Sequence, residues 1–196
     1  MKVEVTGQIF SVIIAIEDYM ESSTLIIPSI EYVKNDAKAF ENMLIETLKV
    51  PKSNIHSFIN EEATLEAIED KLPKIIEGLS PFDTFFFYYA GHAYSTRGEN
   101  LFTLFNSNQD NLKGTSAYFD ELLLEPLSQN PCRKAYLFMD CSSTELLKAK
   151  NQISTISNIC EKEFIKHTDQ FSSQSCFFSA SIGQKSYSSS KLKLGI

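Results

Sequence analysis

Residues 84–92 read TFFFYYAGH: a threonine, six aromatic or apolar residues, one glycine and one histidine. Short apolar runs that are rich in aromatic residues are typical of strands buried on both faces of a sheet. The run therefore predicts a central strand over 84–90, which delivers His92 to the carboxyl end of that strand. Gly91 lacks a side chain and is expected to allow a sharp exit from the sheet there.

Further strands are predicted by the same kind of short apolar run. They cover 9–16, 54–60, 135–140 and 175–180, of which 54–60 alternates more and is expected to be shorter. Between them, the segments 30–50 and 63–79 repeat apolar residues at steps of three and four, which is typical of amphipathic helices. Strands that alternate with helices predict an α/β domain with a mostly parallel sheet and helices on both faces.

Capping residues and prolines predict where the helices end. In the second amphipathic segment, Thr64 is a candidate N-cap, Gly78 lies near the end, and Pro73 is expected to kink or divide the helix. A third helix is predicted after Ser116 and is expected to stop near Pro126.

Length and charge exclude several classes of protein. The 196 residues suit a single domain, in which the polar and weakly periodic stretch 142–175 is interpreted as a flexible loop. The net charge of -7 and the lack of a basic stripe argue against nucleic acid as a partner. The longest apolar runs fall short of the about 20 residues that span a membrane, and the first residues lack a signal-peptide pattern, so a cytoplasmic protein is predicted.

The four cysteines are predicted to be free thiols. Cys132, Cys141, Cys160 and Cys176 form no C-x-x-C pair and have no histidine pair beside them, so neither a zinc site nor any other metal or cofactor is predicted. The seven glycines also form no phosphate-binding loop.

Two of the predicted strands end in reactive side chains. His92 follows the strand 84–90, and Cys141 follows the strand 135–140, 49 residues further along the chain. If these strands are parallel neighbours, imidazole and thiol meet at the sheet edge where ligands of α/β proteins bind. An imidazole raises the thiolate fraction and later donates a proton to a leaving amine, so the pair suits acyl transfer.

Each of the two residues also has an ordinary structural explanation. A lone histidine at a strand end is more often structural or exposed, and a cysteine on an apolar strand is more often inert core. Only their joint position, at the ends of two apolar strands, favours chemistry. The other histidines and cysteines have no comparable setting.

Several motifs resemble those of the caspase and metacaspase superfamily of cysteine peptidases. The two that matter most are YYAGHA and, about 50 residues later, FMDCSS. The stretches VIIAIEDY, YVKNDAKAFENML, INEEATLEAIEDKL and FFSASIGQKSY are similar to further segments of that superfamily. The resemblance implies a caspase-like three-layer sandwich that corresponds to the large subunit of a caspase.

The resemblance also implies a role for each matching residue. His92 would be the general base and acid, Cys141 the nucleophile, and the backbone N–H groups of Ala93 and Cys141 the oxyanion hole. The primary specificity pocket would be formed by residues from three separate stretches of the chain: Asp18, Met139, Asp140, Tyr187 and Ser188.

The sequence departs from the superfamily pattern near the expected site. Ala93 replaces the usual glycine, and Ser142-Ser143 replaces the Ser-Gly that often follows the cysteine. Met139 stands two residues before the cysteine, where metacaspases have aspartate and caspases have glutamine. A pocket with Asp18 would favour a basic P1 residue, whereas a Met139 wall would favour a long aliphatic stem.

Superfamily members continue beyond the point where this sequence stops. The small-subunit elements are therefore expected to be missing, and a C-terminal segment or a partner chain is expected to cover the apolar surface left exposed. If the P1 residue is basic, Lys148 and Lys150 in the loop 142–175 are candidate points of self-cleavage.

Three functions remain open from the sequence. The first is a cysteine endopeptidase that hydrolyses peptide bonds through a thioester and acts in regulated proteolysis, such as cell death or defence signalling. The second is an impaired pseudoenzyme that keeps the fold and acts as a regulatory scaffold. The third is a hydrolase of small amides with the same dyad, because residue chemistry alone does not fix the substrate.

Overall fold

The central sheet carries helices on both faces, as the sequence predicts. The computed structural model describes residues 6–20, 27–96, 99–142, 174–179 and 188–195. In chain order its elements are β1 (Ile9–Ala15), α1 (Val33–Asn42), β2 (Ile55–Ile59), α2 (Leu65–Glu77), β3 (Thr84–Thr96), β4 (Glu99–Phe102), α3 (Leu112–Thr115), β5 (Ala117–Tyr118), α4 (Glu125–Gln129), β6 (Lys134–Ser142), β7 (Gln174–Phe178), β8 (Ser188–Ser189) and β9 (Leu194–Gly195).

In the described part of the chain, five strands pair in parallel in the order β2–β1–β3–β6–β7. The strands predicted at 9–16, 54–60, 135–140 and 175–180 are confirmed, each to within two residues at its ends. All five therefore point their carboxyl ends at the same edge of the sheet. This edge is where α/β folds place their ligand sites.

Strand β3 is longer than the sequence predicts. It pairs with β1 up to Ala90 and with β6 up to His92, and then continues as an antiparallel ladder in which Ala93 pairs with Phe102 of β4. The expectation that Gly91 makes a sharp exit is wrong, because the chain stays extended through this residue. His92 consequently lies inside a long strand, between the parallel sheet and the hairpin.

Helix α2 begins and ends where its capping residues predict. The Thr64 hydroxyl accepts the Ala67 N–H at 3.2 Å, and Gly78 is the C-cap. Pro73 does not divide the helix, which runs from Leu65 to Glu77. Helix α1 is also confirmed, and one π-helical turn, Met43–Thr47, extends it.

The third predicted helix differs from its expected length. A π-helical turn, Asp120–Leu124, leads into α4, and Pro126 lies in the first turn of α4. Proline has no N–H group to donate, and it lies at the point where the π-helical turn changes to the α-helix. The helix therefore continues past Pro126, where the sequence predicted its end.

Buried side chains form one cluster on each face of the sheet. The larger one, here called the α2-face cluster, lies under α2 and α4 and includes Phe85, Phe87, Tyr89, Ile68, Leu72, Leu127, Leu137 and Met139. The smaller one, the α1-face cluster, comprises Ile13, Ala15, Val33, Ala37, Leu44, Val50, Tyr88 and Ala90. Successive residues of β3 alternate between the two clusters, which explains why the run FFFYYA contains no polar residue.

The short hairpin of β8 and β9 packs against α1. Asn35 Nδ2 donates to Lys193 O at 2.9 Å, and the Gly195 N–H donates to the Asp36 carboxylate at 2.9 Å. The loop interpretation of 142–175 falls mostly on residues 143–173, which lie outside the described ranges. Over the ranges that are described, every helix is too short or too polar to cross a bilayer.

Candidate active site

Strands β3 and β6 are parallel neighbours, as the proposed pairing of imidazole and thiol requires. Gly91 pairs with Cys141, and His92 pairs with Ser142. The end of the TFFFYYAGH run and the end of β6 therefore lie side by side at the carboxyl edge of the sheet. The condition set for the dyad, that the two strands are adjacent and parallel, is met.

The His92 imidazole is buried and held in one tautomer. The side chain is only 3% exposed, and its Nε2 lies 2.8 Å from the carbonyl oxygen of Pro28. Because a carbonyl can only accept a hydrogen bond, Nε2 must carry the proton. The neutral ring then has its lone pair on Nδ1, so that Nδ1 is the atom able to take a proton from a nucleophile.

The backbone of His92 is held by side chains from three parts of the chain. Its N–H donates to Tyr19 Oη at 2.8 Å, and its carbonyl oxygen accepts from Thr103 Oγ1 at 2.5 Å and from Tyr89 Oη at 2.6 Å. Tyr19 Oη also lies 2.9 Å from Thr103 Oγ1. The Tyr19 ring stacks on the imidazole, with 5.5 Å between the ring centroids.

Gly91 leaves room for these hydroxyl groups. A Cβ atom at this position would lie 2.6 Å from Tyr89 Oη and 3.1 Å from Tyr19 Oη, the first of which is closer than van der Waals contact allows. The glycine before the histidine is thus explained by packing, since any side chain would displace the two tyrosines. Close packing against the two tyrosines, and not a sharp exit of the chain, explains the glycine at position 91.

The Ala93 N–H lies on the edge of β3 that faces β6. The Thr103 N–H donates to His92 O at 3.0 Å, so the backbone groups of His92 face β4. Because backbone groups alternate between the two edges of a strand, those of Ala93 face the other edge. The N–H predicted as an oxyanion donor is therefore directed toward the side where β6 ends in Cys141.

Of the three cysteines in the described ranges, Cys141 is the one at the carboxyl edge of the sheet. Burial raises the pKa of Cys176 to about 12, and burial also raises the pKa of Cys132. Cys141 is partly buried at the carboxyl edge of the sheet. Cys132 and Cys176 are accordingly poor nucleophiles at neutral pH.

Two carboxylates, Asp36 of α1 and Asp140 of β6, approach each other beside the hairpin. A Cβ atom at Gly195 would lie 2.9 Å from Asp36 Oδ2 and 3.1 Å from Asp140 Oδ2. Burial raises the pKa of Asp36, and the negative charges of Asp140 and Glu17 raise it further. Such a carboxylate pair is stabilised by any cation that enters between its members.

Asp18 is engaged by other side chains. Its carboxylate lies 3.3 Å from Lys34 Nζ and accepts from Asn60 Nδ2 at 3.3 Å. Burial opposes ionisation of Asp18, but hydrogen bonds from Ser29, Lys34 and Asn60 outweigh it, so the pKa is lowered. The Lys34 ammonium compensates the charge that was expected to attract a basic substrate.

The family of the protein follows from its sequence. The profile of the caspase domain family, a peptidase family, matches residues 10–192. The chain belongs to the caspase domain family. The resemblance drawn from YYAGHA and FMDCSS is confirmed at this level, and the family supports a cysteine peptidase-like hydrolase.

A solved structure shares the fold of this caspase domain over part of its length. Protein GSU0716 from Geobacter sulfurreducens is similar with a TM-score of 0.55 and 15% sequence identity. The alignment covers 70% of this caspase domain and 52% of that chain, so the sequence spans about half the length of this structural relative. No curated protein matches the sequence significantly.

Met139 is buried in the core of the caspase domain. Its side chain is 1% exposed and belongs to the α2-face cluster, together with Leu137. The expectation that Met139 forms a wall of the specificity pocket does not fit this burial. Because side chains alternate along β6, the neighbour that faces α1 is Asp140.

The remaining predicted site residues are only partly described. Ser188 is exposed and pairs with Gly195, the residue beside the Asp36 and Asp140 carboxylates. Tyr187, Lys148 and Lys150 lie outside the described residues. No group of three or more potential metal ligands occurs among the residues that the structure describes.

Sequence reasoning missed four residues of this caspase domain that contact or adjoin the site. They are Tyr19, Pro28, Asp36 and Thr103. Their contacts with His92 or with Asp140 span long stretches of chain, 73 residues in the case of Tyr19 and His92. Tyr19 follows the predicted strand 9–16 by three residues, in VIIAIEDY, and this position alone indicates no partner.

Proposed function

We propose that this caspase domain is a cysteine endopeptidase in which His92 is the general base and acid and Cys141 the nucleophile. The observation that carries the proposal is that β3 and β6 are parallel neighbours, which brings His92 and Cys141 within one register position of each other at the carboxyl edge of the sheet. The Nε2–H tautomer adds to it, because it leaves Nδ1 basic. Regulated proteolysis in the cytoplasm, of the metacaspase type, is the setting that we propose.

The proposed reaction proceeds through a thioester. His92 Nδ1 takes the proton of the Cys141 thiol, and the sulfur attacks the carbonyl carbon of the scissile peptide bond. The N–H groups of Ala93 and Cys141 stabilise the resulting oxyanion. The imidazolium protonates the leaving amine as the C–N bond breaks. Water, deprotonated by His92, then hydrolyses the thioester, and the sulfur leaves as the thiol.

We propose a basic P1 residue, Arg or Lys. Asp36 and Asp140 form a carboxylate pair near the end of β6, and the raised pKa of Asp36 reflects burial and this repulsion. A guanidinium or ammonium group would relieve the repulsion, whereas an acidic P1 residue would add to it. Ser188 and the adjacent Tyr187 would complete the pocket on the hairpin side, and Asp18 is assigned to its rim.

The dyad is tested with fluorogenic peptides that carry Arg, Lys or Asp at P1. Cys141→Ala and His92→Ala are each expected to lower kcat/KM about a thousandfold or more, whereas Cys176→Ala serves as the matched control and is expected to retain activity. Ser142→Ala is included because Ser142 is in register with His92. Loss of activity in Ser142→Ala together with full activity in Cys141→Ala would refute the assignment of the nucleophile.

Self-cleavage follows from the same specificity. Mass spectrometry of the purified chain is expected to show cuts after Lys148 or Lys150 that are absent from the Cys141→Ala variant. An intact chain under conditions in which Arg peptides are cleaved would contradict this part of the proposal.

A second candidate function is a regulatory scaffold without peptidase activity. The strand register favours it, because Cys141 is in phase with Gly91 and packs against the α2-face cluster, one position out of phase with His92. Ala93 and Ser142-Ser143, which replace the residues usual in the family, also favour a scaffold. Iodoacetamide labelling distinguishes the two functions: fast, pH-dependent alkylation of Cys141 supports the peptidase, and slow labelling of every accessible cysteine supports the scaffold.

We further propose that β7 receives an additional strand or covering segment, supplied by a C-terminal small-subunit segment or by a partner chain. Within the described residues β7 pairs with β6 alone, and its Phe177 is 49% exposed while it stacks on Phe138. An open edge of this kind offers unpaired backbone groups. Hydrogen exchange is expected to be much faster in 174–178 than in 135–140, and equal protection would argue against an open edge.

A further inference from the structure

The hydroxyl groups of Tyr19 and Thr103 close a ring of hydrogen bonds between the backbone N–H and the backbone C=O of His92. Thr103 Oγ1 donates to His92 O, and its single proton is then committed. Tyr19 Oη must therefore donate to Thr103 Oγ1, and it accepts the His92 N–H. The ring runs in one direction, from N–H through two hydroxyl groups to C=O, and each bond in such a chain polarises the next.

The ring is buried and electrically neutral. Thr103 is 1% exposed and Tyr19 is 8% exposed. Burial raises the pKa of Tyr19 to about 12, so this hydroxyl remains a donor throughout the pH range of a peptidase. The Tyr89 hydroxyl also donates to His92 O and lies 2.8 Å from Thr103 O. It adds a third buried hydroxyl group beside the ring.

The same loop that supplies Tyr19 also determines the tautomer of the imidazole. The loop between β1 and α1 contacts His92 through the Tyr19 hydroxyl, through the stacked Tyr19 ring and through the Pro28 carbonyl. It is itself anchored by backbone hydrogen bonds, Met20 N–H to Phe105 O and Ile30 N–H to Glu17 O, both at 2.9 Å. Tyr19 and Pro28 together therefore fix the backbone, the ring plane and the ring proton of His92.

We propose that Tyr19 and Thr103 are positioning residues that hold His92 in the orientation and tautomer its proton transfer requires. The kinetic part rests on the proposed peptidase function, whereas the effect on the tautomer does not. A misplacement of a catalytic group by about 1 Å can cost about a hundredfold in rate, so removal of one ring hydroxyl is expected to lower kcat about 10- to 100-fold with little change in KM.

Two substitutions of one residue separate positioning from packing. Thr103→Val keeps the shape and removes the hydroxyl, whereas Thr103→Ser keeps the hydroxyl and removes a methyl group. Long-range ¹⁵N–¹H spectra of the histidine side chains are expected to show the Nε2–H tautomer for His92 in the wild type and in Thr103→Ser, and a mixture of tautomers in Thr103→Val. The rate and pH midpoint of Cys141 alkylation are expected to shift in the valine variant alone.

Tyr94→Phe is the matched control, because Tyr94 is a buried tyrosine of the same strand that lies outside the ring. It is expected to leave the His92 tautomer and the alkylation profile unchanged. Tyr19→Phe replaces Thr103→Val if the latter does not fold, and it is expected to have the same effects. If neither variant folds, hydrogen exchange of the wild-type His92 amide decides the proposal: strong protection supports the ring, and exchange as fast as that of an exposed amide overturns it.

Failure of the positioning proposal and failure of the peptidase proposal give different results. A wild type without cleavage or fast alkylation refutes the peptidase, while the tautomer spectra still decide the role of the ring. A folded Thr103→Val variant with a wild-type tautomer and alkylation profile refutes the positioning role, even if cleavage is normal.

Discussion

The carboxyl edge of the sheet has two regions of opposite character. Around His92 the contacts are neutral, buried hydrogen bonds from Tyr19, Tyr89 and Thr103. Around the ends of β1 and α1 the contacts are charged and half-exposed, with Asp18 and Lys34 as partners. Buried neutral bonds are insensitive to salt and pH, whereas exposed ion pairs are screened and titrate.

The difference separates groups whose geometry is fixed, around His92, from groups whose charge and position can change, around Asp18. A residue that transfers protons must keep its geometry, and rigid neutral partners provide this without adding charge near the imidazole. A pocket that selects the charge of a side chain needs carboxylates that remain reachable. The predictions below test the two regions in turn, beginning with the largest effect.

Gly91→Ala is expected to disrupt the His92 region most strongly. The added Cβ would meet Tyr89 Oη at 2.6 Å and Tyr19 Oη at 3.1 Å, and overpacking of this kind costs about 1–3 kcal/mol. Urea denaturation measures the loss of stability, and peptide cleavage is expected to fall with it because both tyrosines must move away from His92.

The matched control is Gly78→Ala at the end of α2. A Cβ there would lie 3.5 Å from the carbonyl oxygens of Lys74 and Ile75, which is ordinary contact. Its expected effect on stability is within about 1 kcal/mol, with stabilisation the more frequent sign at a compatible site. Equal destabilisation by the two substitutions would show that the space beside Gly91 is not restricted.

In the charged region, Asp36→Asn is expected to raise KM for Arg peptides severalfold and to flatten its pH dependence. In the proposed pocket the ionised carboxylate would bind the cationic P1 group, so affinity would be present above the pKa of Asp36 and lost as pH falls through it. Because burial and Asp140 raise this pKa above the ordinary 3.8, the loss should begin at higher pH than for an exposed aspartate.

Steady-state kinetics between pH 4 and pH 8, at low and high salt, measure this effect. Asp70→Asn is the control, since Asp70 is an exposed residue of α2 whose partner is Lys74. A KM profile in Asp36→Asn that matches the wild type would remove Asp36 from the pocket.

The sequence predicts the sheet of this protein well because apolar runs and their period are local signals. The same rule of alternation could also have separated Met139 from Asp140: in LFMD, Leu137 and Met139 share the core face, and Asp140 faces the other way. The family motif, in which a pocket residue stands two positions before the cysteine, assigned Met139 to the pocket instead. The error arose from a motif position that was applied without the geometry of the strand.

The ring around His92 could not be predicted in this way. Tyr19 and Thr103 are 84 residues apart in the chain, and no local pattern indicates that their hydroxyl groups meet at the backbone of one residue. The glycine at position 91 gave the only local hint, since a residue without a side chain signals either a turn or close packing. The sequence favoured the turn, and the structure shows close packing by two tyrosines.

The smallest effect is expected from Lys34, the cation of the charged region. Lys34→Met removes the ammonium that lies 3.1 Å from Glu17 Oε1 and 3.3 Å from Asp18 Oδ2. Both partners are partly exposed, so the loss of stability should stay below about 1 kcal/mol. The released Asp18 carboxylate should instead lower KM for Arg peptides slightly, an effect that disappears in high salt.

Lys38→Met provides the comparison for this last substitution, because Lys38 is also on α1 but pairs with Glu41, at 2.6 Å, away from Asp18. Its KM is expected to equal that of the wild type. If Lys34→Met and Lys38→Met change KM equally, the effect reflects only the net charge of the domain. If Lys34→Met alone lowers KM, Lys34 competes with the substrate for Asp18, and the charged region is adjustable in a way that the His92 region is not.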